Sequence, residues 1–174
     1  MALPSLSLVI GGAASGKSDF AESLVLKAGQ VPLYIATAQV FDAEMAAKVD
    51  AHKEARGEGW VTIEAPIDVA GALQMAESGQ PVLIDCATLW LTNLILGEHD
   101  VETATDGLIM AVRAHGGPVV IVTNEVGYGI VPENALSRRF RTSQGQLNQR
   151  LAAEADLVVT VIAGLPLALK GQLP

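Results

Sequence analysis

A chain of 174 residues, 50% hydrophobic and 17% charged, has the apolar mass for one full-sized core; this excludes a disordered chain and leaves no room for two comfortable domains. Its 19 acidic residues against 11 basic ones give a formal charge of -8, which excludes a broad basic surface for a nucleic-acid backbone. One cysteine, Cys86, excludes an internal disulfide and fits a reducing compartment.

The first expected element is a strand over 6–10, an apolar run with no basic residue before it. Gly11 and Gly12 end that run too early for a signal peptide, and no apolar stretch reaches the roughly 20 residues that span a bilayer. The expectation is a cytoplasmic protein with no membrane span. Next comes "GGAASGKS", residues 11–18, followed by a helical pattern over 17–28. A strand, a glycine-rich turn and a helix are the setting that a phosphate-binding loop requires. Gly11, Gly12, Ala13, Ala14, Ser15 and Gly16 would turn backbone N–H groups toward phosphate oxygens. Lys17 would reach the outer phosphates, and Ser18 would hold Mg²⁺. The plainer reading is a glycine-rich strand-to-helix turn that binds nothing; the full eight-residue pattern in this place speaks against it.

A second strand is expected over 32–37 and a helix over 41–55. That helix carries Phe41, Met45, Val49 and His52 along one stripe, with Lys48, Lys53 and Arg56 within a turn of His52. Two readings stay open for His52: a histidine extending a packed face, or a neutral imidazole among cations that attacks phosphorus. The other histidines, His99 and His115, sit in polar or glycine-rich surroundings and read as solvent-exposed.

"WVTIEAP" at 60–66 can add a strand, and a helix is expected over 67–78. The apolar run at 82–85 ends in Asp85, which falls at the carboxyl edge of a parallel sheet, where open α/β folds bind ligands. Beside a phosphate loop, Asp85 would share the metal with Ser18; alone it would read as a cap for the next helix. Helices over 87–96, 101–115 and 133–154, strands over 119–123 and 157–162, and an edge hairpin from "LPLALK" at 165–170 complete the chain. Near-continuous apolar strands alternating with helices predict an α/β fold, with a mostly parallel sheet covered on both faces. No repeat or linker divides it, so a single catalytic domain over 1–174 is expected.

"TNEVGYGIVPENALSRRFRTSQGQLNQRLAAEADLVVTVIAGLPL" at 123–167 resembles one family, as do "GGAASGKSDFAE", "YIATAQVFDAEMAAKVDAHKEAR" and "LIDCATLWLTNLI". Together they are similar to the bifunctional adenosylcobinamide kinase / adenosylcobinamide-phosphate guanylyltransferases of cobalamin biosynthesis, from residue 9 to about residue 170. The segments EVGYGIVPEN and LNQRLAAEAD are far more specific than the phosphate loop. The resemblance implies a P-loop NTPase with a RecA-like three-layer sandwich, assembling as a homotrimer. It implies phosphorylation of adenosylcobinamide with ATP or GTP. GMP then passes from GTP to adenosylcobinamide phosphate through a guanylylated histidine, which His52 matches. Nucleotide contacts carry over to residues 11–18, to Ala36, Thr37 and Ala38, to Lys53, Glu54, Ala55 and Arg56, and to Glu64 and Asp85. Some members have a basic residue or a second histidine at the Ala51 position, or an arginine at the Ala14 position; neither change removes a required group. Arg138, Arg139 and Arg141 receive no role from the resemblance, a solvated helix face being the plain reading and a substrate-phosphate contact the other.

Two other classes compete. A GTP-dependent switch is disfavoured because Glu125 and Val126 occupy the Lys and Asp positions of the guanine-reading motif. No Asp-x-x-Gly follows the fourth strand either, since Asp85 leads into Cys86 and Ala87. A small-molecule P-loop kinase without guanylyl transfer is the nearer alternative, with His52 only packing or binding substrate.

Overall fold

The structure is a computed structural model that describes residues 3–39, 57 and 59–174. Among the described residues, seven strands form one sheet: β1 (Leu6–Gly11), β2 (Leu33–Ala36), β3 (Val61–Glu64), β4 (Val82–Asp85), β5 (Val119–Asn124), β6 (Leu157–Ile162) and β7 (Leu165–Lys170). Their order is β3-β2-β4-β5-β1-β6-β7, parallel throughout except for β7, which turns back against β6. The turn of that hairpin is Ala163-Gly164, both at positive φ, a two-residue connection whose twist suits the flanking strands.

Helices α1 (Lys17–Leu26), α2 (Val69–Gln74), α3 (Ala87–Leu96), α4 (Val101–Ala114) and α5 (Ala135–Glu154) cover the sheet. The strands are apolar on both sides because both sides are buried. In β5, Val119 and Ile121 join Leu91, Leu94, Leu108, Leu147 and Leu151 of α3, α4 and α5 on one face. Val120 and Val122 meet Ala21, Leu24 and Val25 of α1 on the other. Trp90 is buried, with its Nε1 donating to the Ile67 carbonyl at 2.8 Å, so its polar edge is satisfied inside the core.

The expected strands and helices within the described residues are present, with ends trimmed by capping. The helix expected over 67–78 begins only at Val69, because the Asp68 carboxylate accepts from Gly71 N. The one expected over 133–154 begins at Ala135, because Asn134 accepts from Ser137 N. Asp100 caps α4 in the same way. The expected helix over 41–55 lies outside the described residues.

Candidate functional site at the carboxyl edge of the sheet

The loop after β1 is built by close approach. A Cβ on Gly11 would lie 2.3 Å from Ser15 Oγ and 2.9 Å from the Val161 carbonyl oxygen, so only glycine lets the loop fold back this tightly. Gly16 stands at the N-cap of α1 with φ 87, and a Cβ there would lie 3.2 Å from Gly164 Cα. The hairpin turn braces the loop from that side: Gly164 N donates to the Ser15 carbonyl at 2.9 Å. Among the described helices, α1 alone has no side chain capping its first turn. Its leading N–H groups therefore stay open toward an anion, reinforced by the helix dipole. Lys17 Nζ donates to the Gly12 carbonyl at 3.2 Å, which keeps the ammonium folded over the loop.

Three strand tips complete the edge. Ala36 pairs with both Glu64 and Asp85, so these residues lie in one row across β3, β2 and β4. Tyr34 Oη donates to Asp85 Oδ2 at 3.3 Å, and the Tyr34 ring meets Trp60 edge-to-face at 5.9 Å. Thr37 is fully buried, and its polar atoms are all engaged within the protein. Its N–H donates to the Asp85 carbonyl, its Oγ1 both accepts from Cys86 N and donates to the Cys86 carbonyl at 2.8 Å, and its carbonyl accepts from Asn93 Nδ2. Thr37 thus fixes the β2 and β4 tips against each other. Thr37→Val keeps the shape but strands the Cys86 N–H, and should lower stability by about 2 kcal/mol. A reduced urea midpoint with unchanged slope checks this; an unchanged midpoint would show that the hydroxyl holds nothing.

Cys86 follows Asp85 directly. Burial pushes its thiol up to about 11, and the negative charge of Asp85 adds to the effect. At neutral pH this thiol stays protonated, so it is no competitor for a covalent nucleotide.

For a divalent cation the donor set is lean. No group of three or more His, Cys, Asp or Glu side chains comes together among the described residues. Ser18 at the start of α1 and Asp85 at the tip of β4, both partly buried, supply hard oxygens at the same edge. That set fits Mg²⁺, which takes one or two protein oxygens and completes its shell with phosphates and water.

Of the residues expected from the sequence, the fold gathers Gly11, Gly12, Ala13, Ala14, Ser15, Gly16, Lys17, Ser18, Ala36, Thr37, Ala38, Glu64 and Asp85 at the carboxyl edge. His52, Lys53, Glu54, Ala55 and Arg56 lie outside the described residues. His99 is exposed as expected, but His115 is half-buried, with Nε2 2.7 Å from the Gln80 carbonyl, because the turn after α4 packs against the start of β4. The arginines find partners in backbone. Arg138 donates to the carbonyls of Pro132 and Glu133, and Arg141 to those of Gly129 and Ile130, so both order the 129–133 loop. Arg139 lines a 720 Å³ groove between α4 and α5 with Arg150 and His99.

A buried polar cluster escaped the sequence reading. Thr123 Oγ1 donates to Asn148 Oδ1 at 2.7 Å, Gln144 Nε2 donates to both of these oxygens at 2.9 Å, and Asn148 Nδ2 donates to the Asn124 carbonyl at 3.0 Å. Its one signal was a Gln and an Asn four residues apart on the inward face of a helix, in the QGQLN segment at 144–148.

Comparison with known proteins adds the following. The model of the cobinamide kinase / cobinamide phosphate guanyltransferase family matches residues 7–169. The chain is 40% identical over 168 residues to the bifunctional adenosylcobalamin biosynthesis protein CobP of Pseudomonas aeruginosa, covering 95% of this chain and 97% of that one. It is 44% identical over 180 residues to the bifunctional adenosylcobalamin biosynthesis protein CobU of Salmonella typhimurium, covering 94% and 98%. Among solved structures, the flagellar accessory protein FlaH of Methanocaldococcus jannaschii superposes with a TM-score of 0.55 at 14% identity, over 98% of this chain and 80% of that one. The RadB recombinase superposes with a TM-score of 0.50 at 17% identity, over 91% and 74%. At such identities the likeness shows the fold alone, an α/β sandwich around a mostly parallel sheet.

Proposed function

The chain belongs to the cobinamide kinase / cobinamide phosphate guanyltransferase family, and we propose that it runs both of that family's reactions from the single phosphate loop of residues 11–18. It is a bifunctional enzyme of adenosylcobalamin biosynthesis, a kinase and a guanylyltransferase. One observation carries the shared-site reading: the family match runs through 7–169 and contains one such loop, set on an uncapped helix beside Asp85.

In the kinase reaction, the hydroxyl of adenosylcobinamide attacks the γ-phosphorus of ATP or GTP. An O–P bond forms, the bond to the β-phosphate oxygen breaks, and the nucleoside diphosphate leaves. Residues 11–18 hold the phosphates through backbone N–H groups, and Lys17 offsets the charge that spreads over the transferring group. In the guanylyl reaction, a ring nitrogen of His52 attacks the α-phosphorus of GTP and pyrophosphate leaves. An oxygen of adenosylcobinamide phosphate then displaces the imidazole, giving adenosylcobinamide-GDP and a free histidine. Ser18 and Asp85 would hold Mg²⁺, which when bound offsets phosphate charge. Ala36, Ala38 and Glu64 border the nucleotide, with Lys53, Glu54, Ala55 and Arg56 as further contacts; Thr37 contributes by fixing the strand tips.

A homotrimer in the cytoplasm fits this reading. Ile162, Leu165, Leu167 and Leu169 leave an exposed apolar face on the β6–β7 hairpin, the kind of surface that subunits cover, and the buried free thiol of Cys86 suits a reducing compartment. Incubation with GTP labelled in its α-phosphate, then denaturation, tests the chemistry. Label retained on the chain supports the two-reaction reading, whereas a kinase without guanylyl transfer would retain none.

A further inference from the structure

The strand order sets one residue between the two halves of the phosphate site. Because β5 lies between β1 and β4, its last residue stands between the phosphate loop that leaves β1 and Asp85 that ends β4. That residue is Asn124, paired with Gly11 in the β1–β5 register.

Its backbone is held from every side. Asn124 N donates to Thr88 Oγ1 at 2.8 Å, its carbonyl accepts from Asn148 Nδ2 at 3.0 Å, and Glu125 N donates to the Gly11 carbonyl at 3.1 Å. Behind it, the fully buried Thr123 and Gln144 lock Asn148 in place. The pleat then decides where the side chain points. Thr123 faces α5, so Asn124 faces the other way, with Val120, Val122 and Asp85, toward α1 and the phosphate loop. There its Oδ1 is buried and finds no donor among the described residues. The other buried amide oxygen in this state, Gln144 Oε1, belongs to a fully buried side chain on the opposite face.

A buried acceptor without a donor costs about 1–3 kcal/mol. Phosphates cannot relieve it, because they too are acceptors. An alcohol can. We propose that Asn124 is a substrate-contacting residue of the kinase reaction, its carboxamide oxygen accepting the hydrogen bond of the hydroxyl that attacks the γ-phosphorus. This rests on the two-reaction reading above and adds a residue to it. The oxygen orients the hydroxyl in line but does not keep its proton, since an amide is too weak a base. As the O–P bond forms and the bond to the β-phosphate oxygen breaks, the proton leaves to water. Guanylyl transfer to the protein has no hydroxyl to orient, so it does not use this contact.

Asn124→Ala removes the acceptor, and Asn124→Leu removes it while keeping the bulk. In both, kcat for adenosylcobinamide phosphorylation should fall about a hundredfold, the scale of losing alignment in a bound pair. Affinity for GTP, titrated calorimetrically, and the yield of chain labelled from α-phosphate-labelled GTP should stay at wild-type values. Unchanged phosphorylation, a parallel loss of labelling, or loss of GTP binding in both variants would overturn the proposal, the last two by making Asn124 structural. Failure of the underlying reading shows differently, as wild-type protein that does not phosphorylate adenosylcobinamide, and it overturns this proposal too.

Discussion

Lys17→Ala is expected to disable both reactions together, each by about 10²–10³-fold, the cost of removing one fixed charge partner from a developing transition state. The ammonium sits over the loop, bonded to the Gly12 carbonyl, on a partly exposed side chain. The folded state should therefore survive, and an unchanged urea midpoint checks that. Lys17→Met, which keeps the length of the stem without its charge, should match the alanine variant. Both activities are assayed on the same preparation: phosphorylation of adenosylcobinamide, and release of pyrophosphate from GTP in the presence of adenosylcobinamide phosphate. Guanylyl transfer that persists at wild-type rate beside a lost kinase activity would mean a second triphosphate site, and would end the shared-loop reading.

His52→Ala should separate the two chemistries. Covalent attachment of GMP and formation of adenosylcobinamide-GDP should disappear, because a lost nucleophile leaves no alternative path and commonly costs many orders of magnitude. Kinase activity should largely remain, since attack on the γ-phosphorus relies on the loop, Lys17 and an oriented hydroxyl. The bond itself offers an independent check. A phosphoramidate survives alkali and breaks in acid, where the protonated ring becomes a good leaving group. Label that resists acid, or that persists on the His52→Ala chain, would assign the nucleotide to another residue. Cys86 is a poor candidate for that role, because its buried thiol stays protonated at neutral pH.

These expectations draw on different layers of the molecule. The phosphate loop was legible in the sequence because its requirements are local. Gly11 is needed for close approach, Gly16 for a positive φ at the helix start, and Lys17 and Ser18 follow within one turn. The apolar runs placed most strands and helices for the same reason: each is a pattern in contiguous residues. Asp85 could be read as a strand-end carboxylate, although its bond from Tyr34, 51 residues earlier in the chain, could not.

Pairing between distant segments was decided by tertiary structure. Nothing local tells Thr37 that its hydroxyl will lie between the N–H and C=O of Cys86, 49 residues away. The place of Asn124 depends on one fact of topology, the insertion of β5 between β1 and β4. Periodicity reports that a strand is buried on both faces, but not which strands flank it. That choice follows from how the connecting helices pack across the whole sheet. The amino-acid sequence by itself determined the phosphate loop, the α/β alternation and the resemblance that names the chemistry. The order of the strands, and with it the residues that meet across the carboxyl edge, came only with the fold, because side chains far apart in the chain become neighbours only when their strands do.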